Sequence, residues 1–337
     1  MTTETPRMIA VLTSLTNSSK IELPISPIVS DFVSKIIGYV ITFFLAMLAG
    51  TLGIFTNTAN IYVYLQIGLS GPTNISFFAL SIFDLLVSVG AVLTQLTYNL
   101  PLSAMKLPSG ALVSEVGMGS LFILYPCMGC SAWITAILSI ERCLCISTPL
   151  KVKEIVTSRR TLLLISAMVV YQSVFIVLLY VYPGPPYNVL VLRRALYFSC
   201  SFSFPSLICF FVVLVSTTVL VVRLKQNVEW RNEAAKQSNP KTNDSKELKA
   251  ARSVVAICTI FIVCSAPNVF LFLTSLLYNN FTTYDPVLGS LKRVLYALSN
   301  MLQVLSSAVN IVIFYKMGTK YREVFNSLFC QKRVKKG

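Results

Sequence analysis

The chain has 337 residues, 55% hydrophobic and only 12% charged, with 28 Lys and Arg against 13 Asp and Glu and no His. That composition excludes a soluble multidomain protein, because helices apolar all round are hidden only in lipid or against one another. A net charge of +15 would suit nucleic acid if it crowded a polar surface, but here it flanks apolar runs, where anionic cytoplasmic lipid attracts it by about 1 kcal/mol per residue.

A hydrocarbon core about 30 Å thick takes roughly 20 apolar residues of helix. Residues 1–36 read as an N-terminal tail; residues 1–30 lack the charged start, apolar core and small-residue cleavage site of a signal peptide, so the first span is expected to insert the chain itself. Predicted spans follow near 37–66, 75–99, 117–140, 161–182, 195–222, 254–278 and 294–315. The first two are divided by Ser70-Gly71-Pro72-Thr73-Asn74, which is turn chemistry. The polar stretch from Gln226 to Lys246 has no periodicity and reads as a flexible loop. Beyond the seventh span, in residues 316–337, Tyr321, Val324, Phe325, Leu328 and Phe329 recur at helical spacing beside Lys320 and Arg322. This pattern predicts a short amphipathic helix on the membrane face. The expected fold is therefore an all-α, seven-helix membrane bundle with an eighth, surface-lying helix. A transmembrane β-barrel would instead show short alternating strands.

Lys and Arg placement sets the expected orientation. With the N-terminus outside, the inner segments hold 20 of the 28 basic residues. The expectation is a multi-pass plasma-membrane protein with its tail in the cytoplasm. On the outer side Asn17 and Asn280 begin glycosylation sequons, whereas those at Asn74 and Asn243 fall inside. Cys330, near the end of the amphipathic stretch, is a candidate for palmitoylation.

Of the nine cysteines none lies in an expected outer loop, so no extracellular disulfide framework is implied. Cys127 and Cys130 have CxxC spacing, but with no His to complete a metal site they read as small apolar packing. Without His the commonest general base is missing, and no nucleophile and base pair suggests an enzyme. No resident cofactor is implied. No internal repeat stands out, which weighs against a transporter built from repeated halves.

Polar residues inside apolar spans carry the functional signal. Asp84 stands in Leu80-Ser81-Ile82-Phe83-Asp84, the third span ends in Ser139-Ile140-Glu141-Arg142, the sixth contains Phe261-Ile262-Val263-Cys264-Ser265-Ala266-Pro267, and the seventh contains Asn310-Ile311-Val312-Ile313-Phe314. A carboxylate near mid-membrane costs about 2.5–3.5 kcal/mol on insertion scales and should face polar partners in the bundle. An Arg at the membrane edge needs a partner or water; a snorkelling anchor at a helix end is the simpler alternative. Pro267 removes one backbone hydrogen bond and should kink the sixth helix.

Taken together these motifs resemble those of the rhodopsin-like G-protein-coupled receptors, from Asn57 in the first span to Cys330. The resemblance implies a switch in which Glu141 and Glu247 hold Arg142 until the sixth helix swings outward. It implies a relay through Asn57, Phe261, Pro267, Asn310 and Phe314. Carried over by position, Ser131, Ser306 and Asn310 join Asp84 in a set suited to a sodium ion; a protonated Asp84 acting as interhelical hydrogen-bond glue is the alternative. The ligand contacts implied are Tyr125, Met128, Tyr197, Ser201, Asn268, Phe272, Tyr296 and Asn300. Leu124 stands in place of an amine-binding Asp and Val304 in place of a retinal Lys, which disfavours both ligand classes. Arg193, Arg194, Lys292 and Arg293 at the outer rim suit a carboxylate or acidic peptide, or else anchor the helix ends.

Several positions depart from the pattern: Ser265 replaces the usual Trp, Phe314 the usual Tyr, Ile311 the usual Pro, and Gly117 the usual disulfide Cys. Departures of this kind are similar to those of divergent invertebrate chemosensory and neuropeptide-type orphan receptors. The implied partners are an extracellular ligand, peptide or small molecule, a heterotrimeric G protein and membrane lipid. A transporter or channel using Asp84 as an ion or proton carrier is the rival from another class, and a nonsignalling membrane scaffold a second.

Overall fold

Ser30 begins the first helix by accepting a hydrogen bond from the Val33 N–H at 3.3 Å, and Asp31 places a negative charge in the first turn, both favourable at a helix N-terminus. The computed structural model describes residues 27–98, 110–147, 152, 154–180, 196–234, 243–278, 281–283 and 285–329. Helix α1 runs unbroken from Asp31 to Ile67, with a π-helical stretch at Val40–Ala46. Gly68 ends it at φ 90°, a conformation that suits glycine. Pro72 then starts α2 (Pro72–Tyr98), since its missing N–H costs nothing in a first turn. The remaining helices are α3 (Gly110–Ser147), α4 (Ser158–Tyr180), α5 (Phe204–Ala234, entered through a π turn at Ser199–Ser203), α6 (Asn243–Leu277), α7 (Gly289–Met317) and the short α8 (Thr319–Phe329).

The seven long helices match the seven predicted spans, but most extend beyond them. Asp31–Lys35, assigned to the tail, already belong to α1, and much of the stretch expected as a flexible loop is helix, to Ala234 in α5 and from Asn243 in α6. With 38 residues, α3 is roughly 57 Å long at about 1.5 Å per residue. It must tilt or protrude from a 30 Å hydrocarbon layer. Among the described residues six helices are long and apolar enough to cross a membrane; α4, with 23 residues, is the seventh long helix.

Packing order follows the chain. Helix α1 lies against α2 and α7, α2 against α3 and α4, and α5 against α6, while α3 touches α2, α4, α5 and α6 and so occupies the middle. Close approach is made possible by small residues. A Cβ on Gly53 would lie 2.2 Å from Ser88 Oγ, so α1 and α2 meet there only because the side chain is absent.

Burial is inverted relative to a soluble protein. Asn57, Asn60 and Asp84 are at most 1% exposed, while Phe55 is 70% exposed and Phe270 65%. In water this arrangement would be untenable; in lipid it is expected, because the solvent is apolar and polar groups find partners only inside.

Two prolines interrupt α3 and α5, and carbonyls beside each find side-chain donors. Pro126 has no N–H for Phe122 O, and Tyr197 donates its hydroxyl to that oxygen at 3.3 Å. Pro205 follows the π turn, in which the Phe204 N–H bonds Ser199 O, and the Cys200 and Ser201 carbonyls beside it accept from the Tyr171 hydroxyl at 2.8 Å and from Gln172 Nε2 at 2.9 Å, both on α4. The Gln172 contact passes over Gly129, where a Cβ would sit 2.7 Å from both Gln172 Nε2 and Ser201 O. The π turn at the start of α5 is thereby tied to α4 across α3.

Candidate functional site

Mid-bundle, Asp84 on α2 is gripped from two sides. Ser131 on α3 donates to Oδ1 at 2.7 Å and Asn310 on α7 donates to Oδ2 at 2.7 Å, and Ser307 brings a further hydroxyl to the carboxylate. One acid thus ties three helices. Ser306 is not among its partners; it lies on the wall of a neighbouring cavity of about 30 Å³, together with Ser131, Ser265, Phe261 and Gln303. That volume is about the room of one water, and Gln303 Oε1 is buried without a hydrogen-bond partner. Asp84 thus accepts from hydroxyls and from the Asn310 amide N–H, while the neighbouring cavity presents the hydroxyls of Ser131, Ser265 and Ser306 and the Gln303 amide oxygen, hard oxygen donors that fit a sodium ion or a water. Among the described residues no group of three His, Cys, Asp or Glu could hold a metal, and the eight cysteines are free thiols.

From this cluster a polar line runs to the end of the bundle that carries α8. Asn57 Nδ2 donates at 3.0 Å to Ser307 O on α7, Asn60 Nδ2 donates to Asn57 Oδ1 at 3.2 Å, and Tyr321 of α8 donates its hydroxyl to Asn60 Oδ1 at 2.5 Å. The Tyr321 ring is buried against Tyr64 and Phe314, with centroids 5.5 and 5.6 Å away. Tyr321 is one of the residues whose spacing predicts the short amphipathic helix, but it does not lie on the surface. It instead plugs the bundle, and Lys320 Nζ caps α1 by donating to Ile67 O at 3.2 Å.

At the same end the expected contact between Glu141 and Arg142 is not formed. Thr161 on α4 donates to Glu141 Oε1 at 2.9 Å, and Arg142 Nη2 donates to Thr73 Oγ1 on α2. Successive residues of a helix point about 100° apart, so the two side chains reach different neighbours. Glu141 Oε2 and Arg142 Nε are buried with no hydrogen-bond partner. Glu247 falls within α6, but its side chain lies outside the described residues, as do Asn17, Asn280, Arg193, Arg194 and Cys330.

The positions expected to meet a ligand divide into groups. Tyr197 and Ser201 are committed to the contacts beside the two prolines and to each other, Ser201 Oγ donating to Tyr197 O at 2.6 Å. Met128 lines the small cavity near Asp84, Asn268 is buried on α6, and Phe272 packs edge-on to Phe204 with centroids 5.4 Å apart. Tyr296 and Asn300 border a larger cavity of about 520 Å³ between α1 and α7, at the end opposite α8. Tyr296 also shares a 3.0 Å hydrogen bond with Tyr125 on α3.

Residues that the sequence reading missed are mostly Thr and Ser: Thr73, Thr161 and Ser307. Nothing in their local pattern separates them from the many hydroxyls that bond back to their own helix, as Thr51 and Thr58 do. Pro126 did carry a legible signal, a proline inside an apolar run.

No curated protein matches the chain. Residues 56–314, more than three quarters of the sequence, match the 7 transmembrane receptor (rhodopsin family), and the chain belongs to that family.

Proposed function

We propose that this receptor binds an extracellular ligand, a peptide or a small molecule, and activates a heterotrimeric G protein when α6 swings outward about Pro267. It does so from the plasma membrane, with its N-terminus outside and its α8 end in the cytoplasm. The observation that carries the reading is the state of Arg142: a guanidinium at the α8 end of the central helix, bonded to a neutral hydroxyl and with Nε unpaired. A cation so weakly committed is available to a new partner. Ligand affinity must differ between the two arrangements of α6, since nothing else shifts their balance.

Asp84, Ser131 and Asn310 serve as the joint across which α2, α3 and α7 rearrange, and a sodium ion beside them would favour the resting arrangement by neutralising the carboxylate. Replacing Asp84 with Asn would then make signalling insensitive to sodium. Activity indifferent to sodium in both forms would leave Asp84 as interhelical glue only.

Membranes containing the receptor and purified G protein test the proposal. Ligand-dependent nucleotide exchange, abolished by Arg142→Ala in a correctly inserted chain, is the expected result. Ion current or uptake without exchange would point to a transporter, and exchange that survives Arg142→Ala would overturn the switch.

A further inference from the structure

The cavity between α1 and α7 has a charge imbalance that the receptor reading leaves unexplained. Lys35, Lys292 and Arg293 stand around it. Of the described carboxylates at this end, Asp31 is already taken by Arg293 Nη2 at 2.6 Å and by the hydroxyl of Ser290, and Asp285 accepts from the Val287 and Leu288 N–H groups at 2.8 and 2.7 Å. Lys292 is half-buried and meets neutral groups only: it donates to Ser275 Oγ at 3.0 Å and to Phe281 O, with its ammonium 4.7 Å from the Phe281 ring centre. A partly buried cation without a counter-charge is costly, so an anion would be bound beside Lys292 with a gain.

The rest of the wall is of another kind. Tyr39, Tyr296 and Ala297 give it an apolar lining, and beside it α1 turns Ile36 and Val40 outward, 49% and 44% exposed, on the face that meets lipid. The π-helical stretch Val40–Ala46 begins at this level, and such insertions often mark functional sites. Gly38 opens the floor: a Cβ built on it meets nothing within 4 Å. Asn300, on the same wall, has a buried amide oxygen with no hydrogen-bond partner. About 520 Å³ is within the usual size of a small-molecule pocket.

We propose that this cavity binds a single-chain amphiphile with an anionic head group, its carboxylate or phosphate held by Lys292 and Lys35 and its tail lying between α1 and α7 toward the lipid. Occupancy is sensed through Tyr296, whose hydroxyl is hydrogen-bonded to Tyr125 on the central helix. Binding stands on the cavity alone; the signalling consequence rests on the receptor reading proposed above.

Palmitate, carrying a spectroscopic label, is the probe, and the full chain in phosphatidylcholine nanodiscs is the receptor. Saturable binding is expected, with the palmitate methyl ester at least tenfold weaker. Lys292→Gln and, independently, Gly38→Leu should each weaken palmitate about tenfold, the first by removing the charge and the second by filling the space. Binding is read without a G protein, so a failed pocket and a failed switch give separate results. Equal binding of acid and ester, or no effect of either variant in a chain that keeps its thermal midpoint, would overturn the proposal. Loss of palmitate binding when phosphatidylglycerol replaces phosphatidylcholine would overturn it too, by making a bilayer phospholipid the occupant.

Discussion

Thr161 on α4 donates its hydroxyl to Glu141 Oε1 at 2.9 Å, while the next residue along α3, Arg142, turns to Thr73 on α2. The two charges that stand side by side in the chain are thus divided between two neighbouring helices, each held through one atom by a neutral hydroxyl, while Glu141 Oε2 and Arg142 Nε have no hydrogen-bond partner. Such an arrangement ties α3 to α4 through Glu141 and to α2 through Arg142.

Removing the Thr73 hydroxyl should release Arg142. A hydrogen bond to a charged group contributes about 1.5–3 kcal/mol, so Thr73→Val should raise ligand-independent nucleotide exchange by about tenfold or more, and Thr73→Ser should restore the resting level. Exchange assays on membranes with matched receptor density read this directly, and an unchanged basal rate in Thr73→Val would remove Thr73 from the switch.

Thr161→Val leaves the buried Glu141 carboxylate with neither oxygen hydrogen-bonded, since Oε2 already has no partner. The expected loss is about 1–3 kcal/mol of stability, seen as a lower thermal midpoint in nanodiscs. Adding Glu141→Gln to Thr161→Val should recover part of it, because an amide costs less to bury than an unpaired charge.

Tyr321→Phe keeps the aromatic packing against Tyr64 and Phe314 but leaves Asn60 Oδ1 without its donor. A loss of about 1–3 kcal/mol follows for a buried acceptor left unmade. Tyr321→Ala adds the loss of the ring and should cost about 3–5 kcal/mol. Hydrogen exchange across Thr319–Phe329 should accelerate in the order wild type, Phe, Ala; equal protection in all three would show that α8 is held by lipid alone.

Gln172→Leu removes the side-chain donor to Ser201 O, in the π turn just before Pro205. With no water in the surrounding hydrocarbon to replace it, the variant should lose about 1–3 kcal/mol, and the double variant Gln172→Leu with Pro205→Ala, which restores a backbone N–H beside the turn, should regain part of that. A fully additive pair would mean that Gln172 and Pro205 act independently.

Length, hydropathy and the scarcity of charge already pointed to a seven-helix membrane bundle, because a chain that must satisfy every backbone group within lipid has few shapes to choose from, while the likeness to the rhodopsin family rested on the motifs around Asp84, Arg142, Pro267 and Asn310. Asp84 and Asn310 were legible for the same reason: a polar side chain at mid-membrane must face inward, and the structure brings these two together at 2.7 Å. Tertiary structure alone decided which hydroxyls meet the charges. Thr73 and Thr161 stand 69 and 20 residues from their partners, and a Thr that bridges helices has the same local sequence as one that bonds its own turn. The helix ends also escaped the sequence reading, because hydropathy reports where lipid is and not where a helix stops, so Asp31 joined α1 and Tyr321 turned into the bundle instead of outward. The cationic cavity between α1 and α7 needed both: the sequence supplied Lys35, Lys292 and Arg293, and packing placed Lys292 where, among the described residues, no carboxylate reaches it.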